Sequence, residues 1–295
     1  MRVNPNPYPD LLAALAQTQQ QINTDEQQIS TGLSVNVPSD NPAAAAVLVQ
    51  NADQTAEADQ FQRSSGSIQS ELQDADSALN SVITSLQQAI SLGVEGANGT
   101  LNASDRIALA TQISGIQSQL VSLANLSYNG NYVFSGTATQ TAPYTLSPSS
   151  PSGVTYAGNT GVNSVTLGDN FTLQTNLPGS QLFSAPGADM FQSIQDLING
   201  LESGQGIGAA VTEVSNASAS IDTQRVFYGN ALSQITAQQT YLSGETVQLA
   251  QQENTVAGAD LPNVISNLTT AETSLQATLT TIGQTAHINL FSYLK

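Results

Sequence analysis

Apolar residues recur at alternating three- and four-residue spacing at both ends of the chain, and a helix with so thin a seam needs a partner to bury it. Near the N-terminus the spacing picks out Leu12, Leu15, Gln19, Ile22, Glu26, Ile29 and Leu33. Near the C-terminus it picks out Leu261, Ile265, Leu268, Glu272, Leu275, Leu279, Ile282 and Ala286. Gln19, Glu26 and Glu272 interrupt these seams, so neither is a self-sufficient zipper. The expectation is two marginal helices that order on assembly, each burying its apolar face on the other and on neighbouring molecules. The polar seam positions would keep the isolated pair labile. Leu12, Leu15, Ile22, Ile29, Leu33, Ile265, Leu268, Leu275, Leu279 and Ile282 are the expected subunit-interface residues.

Between these ends the pattern changes twice. Residues 1–10 are rich in Pro and Asn and read as extended or disordered, with a helix from about Leu11 to Leu33. Ser39-Asp40-Asn41-Pro42 is a helix start, with Asp40 or Asn41 capping and Pro42 in the first turn. The helix that follows reaches about Glu95, interrupted at most near Gly66; at ~1.5 Å per residue it is a rod of about 80 Å. Ser104-Asp105 reads as the cap of the next helix, with a seam of Leu109, Ile113, Ile116, Leu120 and Leu123. From Tyr128 short β-branched and aromatic runs appear, among them 132–134, 153–156, 164–167 and 171–173, bounded by Gly, Asn and Pro. Helical pattern resumes at Met190 and again from about Ile207 to Ala257, with Tyr228, Leu232, Ile235, Leu242 and Leu249 on one stripe. The expected fold is mainly α with a small β-rich insert: an elongated hairpin of long helices, a terminal coiled coil, and the β domain at the tip. Its parts are a terminal segment 1–41 pairing with 258–295, a rod of 42–128 with 205–257, and an outer domain 129–204.

Composition narrows the function. Charged residues are 9% of the chain against roughly 25% in an average soluble domain, and the formal net charge is -17. The five cations are scattered as Arg2, Arg63, Arg106, Arg225 and Lys295, so a phosphate backbone or an anionic membrane finds no basic patch. No apolar run approaches the ~18 residues of a membrane span. Cys is absent, and His287 is the sole histidine. No nucleophile–base pair, phosphate-binding Gly loop or metal-ligand spacing occurs, which points away from an enzyme and from any cofactor. Glu71, Asp74 and Asp76 read as a solvated helix face. The opening residues lack the apolar core of a cleaved signal peptide.

Gln28-Ile29-Ser30-Thr31-Gly32-Leu33 followed by Pro38-Ser39-Asp40-Asn41-Pro42-Ala43-Ala44 resembles a signature of the bacterial flagellin superfamily. Ala97 to Leu101, Asp105-Arg106, Leu123-Ala124-Asn125 and Gly130-Asn131-Tyr132-Val133-Phe134-Ser135-Gly136 look like its entry into the outer domain, more narrowly in the branch at the hook–filament junction. The tail from Leu268 to Leu294, ending Ile288-Asn289-Leu290-Phe291-Ser292-Tyr293-Leu294, is similar to the family's closing helix. The resemblance covers about half of the chain. It implies an extracellular structural subunit of the flagellum, exported by the flagellar type III apparatus without a cleaved signal peptide. Its implied partners are identical subunits in a ring, another hook-associated protein, flagellin, and a cytoplasmic chaperone on the C-terminal helix. The alternatives are a flagellin that polymerises into the filament, or a soluble coiled-coil adaptor or secreted enzyme.

Overall fold

A computed structural model describes residues 8–291. The described chain is mainly helical with a small β-rich insert. Its elements run α1 (Tyr8–Thr31), α2 (Pro42–Gly96), α3 (Ala103–Ala124), eight short strands between Ser127 and Asp189 with α4 (Gly179–Leu182) among them, α5 (Met190–Ser203), α6 (Ile207–Ala257) and α7 (Leu261–Phe291). Helix α2 runs through Gly66 without a break. The N-terminal helix starts at Tyr8, earlier than the Pro-rich opening suggested, because a proline in the first turn lacks only an N–H that has no helical partner anyway. The chain divides into two compact units: one formed by the chain up to Glu57 together with the chain from Gly244 onward, the other by Ala58–Ser243.

In the central unit the long helices interdigitate through Leu72, Leu79 and Leu86 of α2, Ile113 and Leu120 of α3, and Val214, Ile221, Tyr228 and Ile235 of α6, all fully or nearly fully buried. Arg225 of α6 grips Asp76 of α2 with two hydrogen bonds, Nε to Oδ1 at 2.9 Å and Nη2 to Oδ2 at 3.0 Å, and Nη1 donates to Asn80 Oδ1 at 3.3 Å. Asp76 is therefore not simply solvated, and Glu71 is half-buried; Asp74 is exposed as expected. The cap of α3 is Asn102 rather than Ser104: its side chain accepts from the N–H of Asp105 at 2.9 Å. Helix α5 lays Phe191, Ile194, Leu197, Ile198 and Leu201 into the same core. Gly96 lets α2 approach Leu201, whose methyl occupies the space a side chain would need.

The insert is four separate two-stranded antiparallel sheets. These are β1 (Ser127–Tyr128) with β2 (Asn131–Tyr132), β3 (Tyr144–Leu146) with β4 (Val154–Tyr156), β5 (Ser164–Thr166) with β6 (Thr172–Gln174), and β7 (Ser184–Ala185) with β8 (Ala188–Asp189). A lone two-stranded hairpin is marginal in water, so packing must hold them. Phe134, Tyr144, Phe183 and Phe191 form the anchor, with ring centroids 4.9–6.4 Å apart in edge-on and tilted pairs. Asn125 at the end of α3 clamps β3: its amide donates to Tyr144 O at 2.7 Å and its oxygen accepts from Tyr144 N at 2.9 Å. The first hairpin turns on Asn129 and Gly130, both at positive φ (49° and 82°), the pairing that suits the twist of a tight hairpin.

Candidate assembly surface

The terminal unit is built around the connection from α1 to α2. Gly32 at φ 72° ends α1, a left-handed position that glycine adopts without a Cβ clash. The chain then runs beside the end of α6. Ser34 N donates to Ala257 O at 2.6 Å, Ala259 N donates to Gly32 O at 2.9 Å, and Leu33 bridges Gly258 antiparallel. Val35, Ala44 and Ala257 are buried there, with Leu33 and Leu48 packed on them. In the Pro38-Ser39-Asp40-Asn41-Pro42 signature the two polar residues divide the work. Asp40 Oδ2 accepts from the N–H of Asn36 (2.9 Å) and Val37 (3.0 Å), while Asn41 Oδ1 caps α2 through Ala44 N at 3.1 Å. The motif is thus a turn lock followed by a helix cap.

From that connection α1 and α7 pack along each other, and because the end of α1 lies beside the start of α7 the pair is antiparallel. Ile22 (4% exposed), Val264 and Ala271 are buried in their seam; Leu11, Leu15, Ile29, Leu268, Leu275 and Ile282 are half-buried. Of the expected interface residues, Leu15, Ile22, Ile29, Leu268, Leu275 and Ile282 lie in or beside this seam, and Leu33 packs in the connection. Leu12 (44% exposed), Ile265 (52%) and Leu279 (51%) do not: they stand on the outside of the pair. Gln19, Glu26 and Glu272 are exposed as well, which corrects the expectation that they interrupt the buried seam. The seam follows 11-15-18-22-25-29 on α1 and 264-268-271-275-278-282 on α7. The sequence reading missed Leu11, Asp25, Val264 and Ala271. The signal was a second 4-3 spacing one residue away, hidden by Asp25, Thr18, Ala271 and Thr278, which do not look like seam residues.

Asp25 is the one charged side chain fully buried among the described residues, at 2% exposure. Its Oδ1 accepts from Gln21 Nε2 at 2.9 Å, while Oδ2 is buried without a partner. The helix pair offers it no counter-ion. Among the described residues α1 and α7 carry Asp10, Asp25, Glu26 and Glu272 and no Lys or Arg. The side chain of His287 lies outside the described residues.

The surface of α7 is otherwise Thr, Ser, Asn and Gln. The hydroxyls of Thr269, Thr270, Thr273, Ser274, Thr278, Thr280 and Thr281 each donate to the carbonyl four residues earlier, at 2.8–2.9 Å. The protons of these hydroxyls are thus satisfied within the helix itself. No helix of the described chain is long and apolar enough to cross a membrane. The chemistry here is burial: an apolar flank, small hydroxyl side chains with satisfied donors, and carboxylates.

Comparison with known proteins is consistent with this geometry. Residues 6–139 match the family described as the bacterial flagellin N-terminal helical region. The chain is 39% identical over 119 residues to flagellar hook-associated protein 3 of Escherichia coli, covering 40% of this chain and 38% of that one. With flagellar hook-associated protein 3 of Salmonella typhimurium it shares 29% identity across 90% of both chains. Among solved structures, FlgL of Xanthomonas campestris superposes with a TM-score of 0.60 at 17% identity, covering 68% of this chain and 98% of that one. FlgL of Bacillus cereus gives 0.58 at 20% identity, over 70% and 99%. These structural likenesses show a shared fold.

Proposed function

Because the chain belongs to the hook-associated protein 3 group of the bacterial flagellin superfamily, we propose that it is a structural subunit of the flagellum that joins hook to filament. The observation that carries this is the outer side of the α1–α7 pair. Leu12, Ile265 and Leu279 are large, apolar and half-exposed on two helices that already bury their other face on each other. An exposed apolar stripe beside a buried seam is what a helix pair presents when a further helix is to be added. In the assembled state these residues meet a helix of a neighbouring flagellar protein, while Leu15, Ile22, Ile29, Leu268, Leu275 and Ile282 hold the pair together. The neighbours are identical subunits, another hook-associated protein on the hook side and flagellin on the filament side, and before export a chaperone covers the C-terminal helix. No catalytic step is assigned.

Each Leu or Ile removed from water contributes roughly 1.5–3 kcal/mol before the entropy of ordering is subtracted. The test is hydrogen exchange on the purified chain, alone and with isolated hooks that carry the preceding hook-associated protein. Amides of α1 and α7 are expected to exchange quickly in the free chain and slowly on the hooks. Protection already complete in the free chain would indicate a self-contained coiled-coil adaptor. Filaments grown from the purified chain alone would make it a flagellin.

A further inference from the structure

We propose that the side of the terminal helix pair bearing Leu12, Glu26, Ile265, Glu272 and Leu279 takes a cationic amphipathic helix from a different protein rather than a second copy of this chain. The proposal rests on reading these helices as an assembly surface, and it names the chemistry of the partner that surface selects.

Register brings the five residues together. Leu33 pairs with Gly258 in the antiparallel connection, and each step back along α1 is matched by a step forward along α7. Leu12 therefore stands level with Leu279, Gln19 with Glu272, and Glu26 with Ile265, to within about one turn. On each helix these positions lie roughly a quarter-turn from the buried seam. Two antiparallel helices are related by a two-fold axis perpendicular to their common plane, so equivalent flanks emerge on the same side. That side reads apolar (Leu12, Leu279), then acidic (Glu272, Glu26), then apolar again (Ile265), and all five side chains are exposed. Ile265 and Leu279 are fourteen positions apart, about 21 Å along the helix.

Charge then decides the occupant. Helices α1 and α7 supply no Lys or Arg among the described residues. Elsewhere Arg225 is bound to Asp76, Arg106 donates to Leu101 O at 3.0 Å, and the exposed Arg63 of α2 is a single cation, not a match for two separated carboxylates. A second copy laid on this side would bring Glu26 and Glu272 against a chain of formal charge -17. A helix with Lys or Arg between two apolar contacts matches both the spacing and the sign, and opposite charges across an interface select between otherwise similar partners.

The probes are three synthetic helices of about 20 residues, long enough to span the apolar contacts: a Leu/Lys amphipathic helix, its Leu/Glu counterpart, and a Ser/Lys helix without an apolar face. The full chain should bind the Leu/Lys helix at least about tenfold more tightly than either of the others, and hydrogen exchange should slow in α1 and α7. The double variant Glu26→Lys with Glu272→Lys, both exposed and so tolerated by the fold, should reverse the preference toward the Leu/Glu helix. Ile265→Ser with Leu279→Ser should weaken both complexes while circular dichroism stays unchanged. An unreversed preference, protection falling on the central unit, or wild-type dimers that the Ile265→Ser/Leu279→Ser variant dissociates would each overturn the proposal. If charge discrimination fails while the chain still binds hooks, this inference falls and the assembly reading stands; if hook binding itself fails, the assembly reading falls.

Discussion

Asp25 sits where a seam residue should be apolar. A buried carboxylate with one unpartnered oxygen costs the helix pair stability, about 1–3 kcal/mol for an unsatisfied buried polar group, which an apolar side chain of similar size would not incur. Asp25→Leu should therefore slow hydrogen exchange in α1 by about tenfold or more and raise the melting temperature of the terminal unit. Faster exchange in that variant would mean the carboxylate is held by something the helix pair itself does not supply. Glu71 is a second acid that burial disfavours. Half-buried on α2, its carboxyl is pushed above its usual range by desolvation. The folded state then prefers the proton, so this group's contribution turns unfavourable as pH rises through its unfolded and then its folded value. Glu71→Gln should stabilise the chain at neutral pH by no more than about 1 kcal/mol and leave it unchanged near pH 4. Thermal melts of both proteins at the two pH values check this; an equal gain at both would remove the carboxylate as the cause.

At the scale of elements, the paired terminal helices show what a heptad pattern can and cannot say. Both α1 and α7 carry apolar residues wide enough to support two overlapping 4-3 registers. The sequence reading merged them into one stripe. Of that stripe, Leu15, Ile22, Ile29, Leu268, Leu275 and Ile282 face inward, Leu33 packs in the connection, and Leu12, Gln19, Glu26, Ile265, Glu272 and Leu279 face out. The ambiguity is physical, since a 3.6-residue helix drifts against any seven-residue repeat and only a real partner fixes the phase. Long helices were legible for the opposite reason. Ile207–Ala257 is marked by the stripe of Tyr228, Leu232, Ile235, Leu242 and Leu249, and α2 by a cap with a proline behind it. The β insert was legible as β but not in detail. Tyr144–Leu146 is held to Asn125 by a side-chain clamp that no local pattern reveals, while the Asn129-Gly130 turn was a hairpin signal in plain view. The exposed position of Gln19 and Glu26 changes what their replacement should do. Gln19→Leu with Glu26→Leu extends the apolar flank of Leu12 along the outside of α1, leaving the buried seam intact. That variant should form concentration-dependent oligomers by analytical ultracentrifugation while the wild type stays monomeric. A monomeric variant at high concentration would show that the flank does not drive association.

At the scale of the whole molecule, a chain of net charge -17 repels its own copies over a long range. Contacts between identical subunits should accordingly strengthen as salt is added up to physiological levels, where the Debye length falls to about 8 Å. Light scattering across a salt series reads this directly, and weakening with salt would point to attractive ion pairs between copies instead. The inward-turned hydroxyls of α7 bear on a different property. Since Thr269, Thr270, Thr273, Ser274, Thr280 and Thr281 already donate to their own helix, covering these hydroxyls strands none of their protons, and the water displaced from Ile265 and Leu279 leaves hydrocarbon. Association on such a surface has a negative heat-capacity change and draws on solvent entropy near room temperature, so it fades on cooling. Joints made by this helix should loosen in the cold: complexes formed at 30 °C should dissociate measurably near 4 °C and re-form on warming.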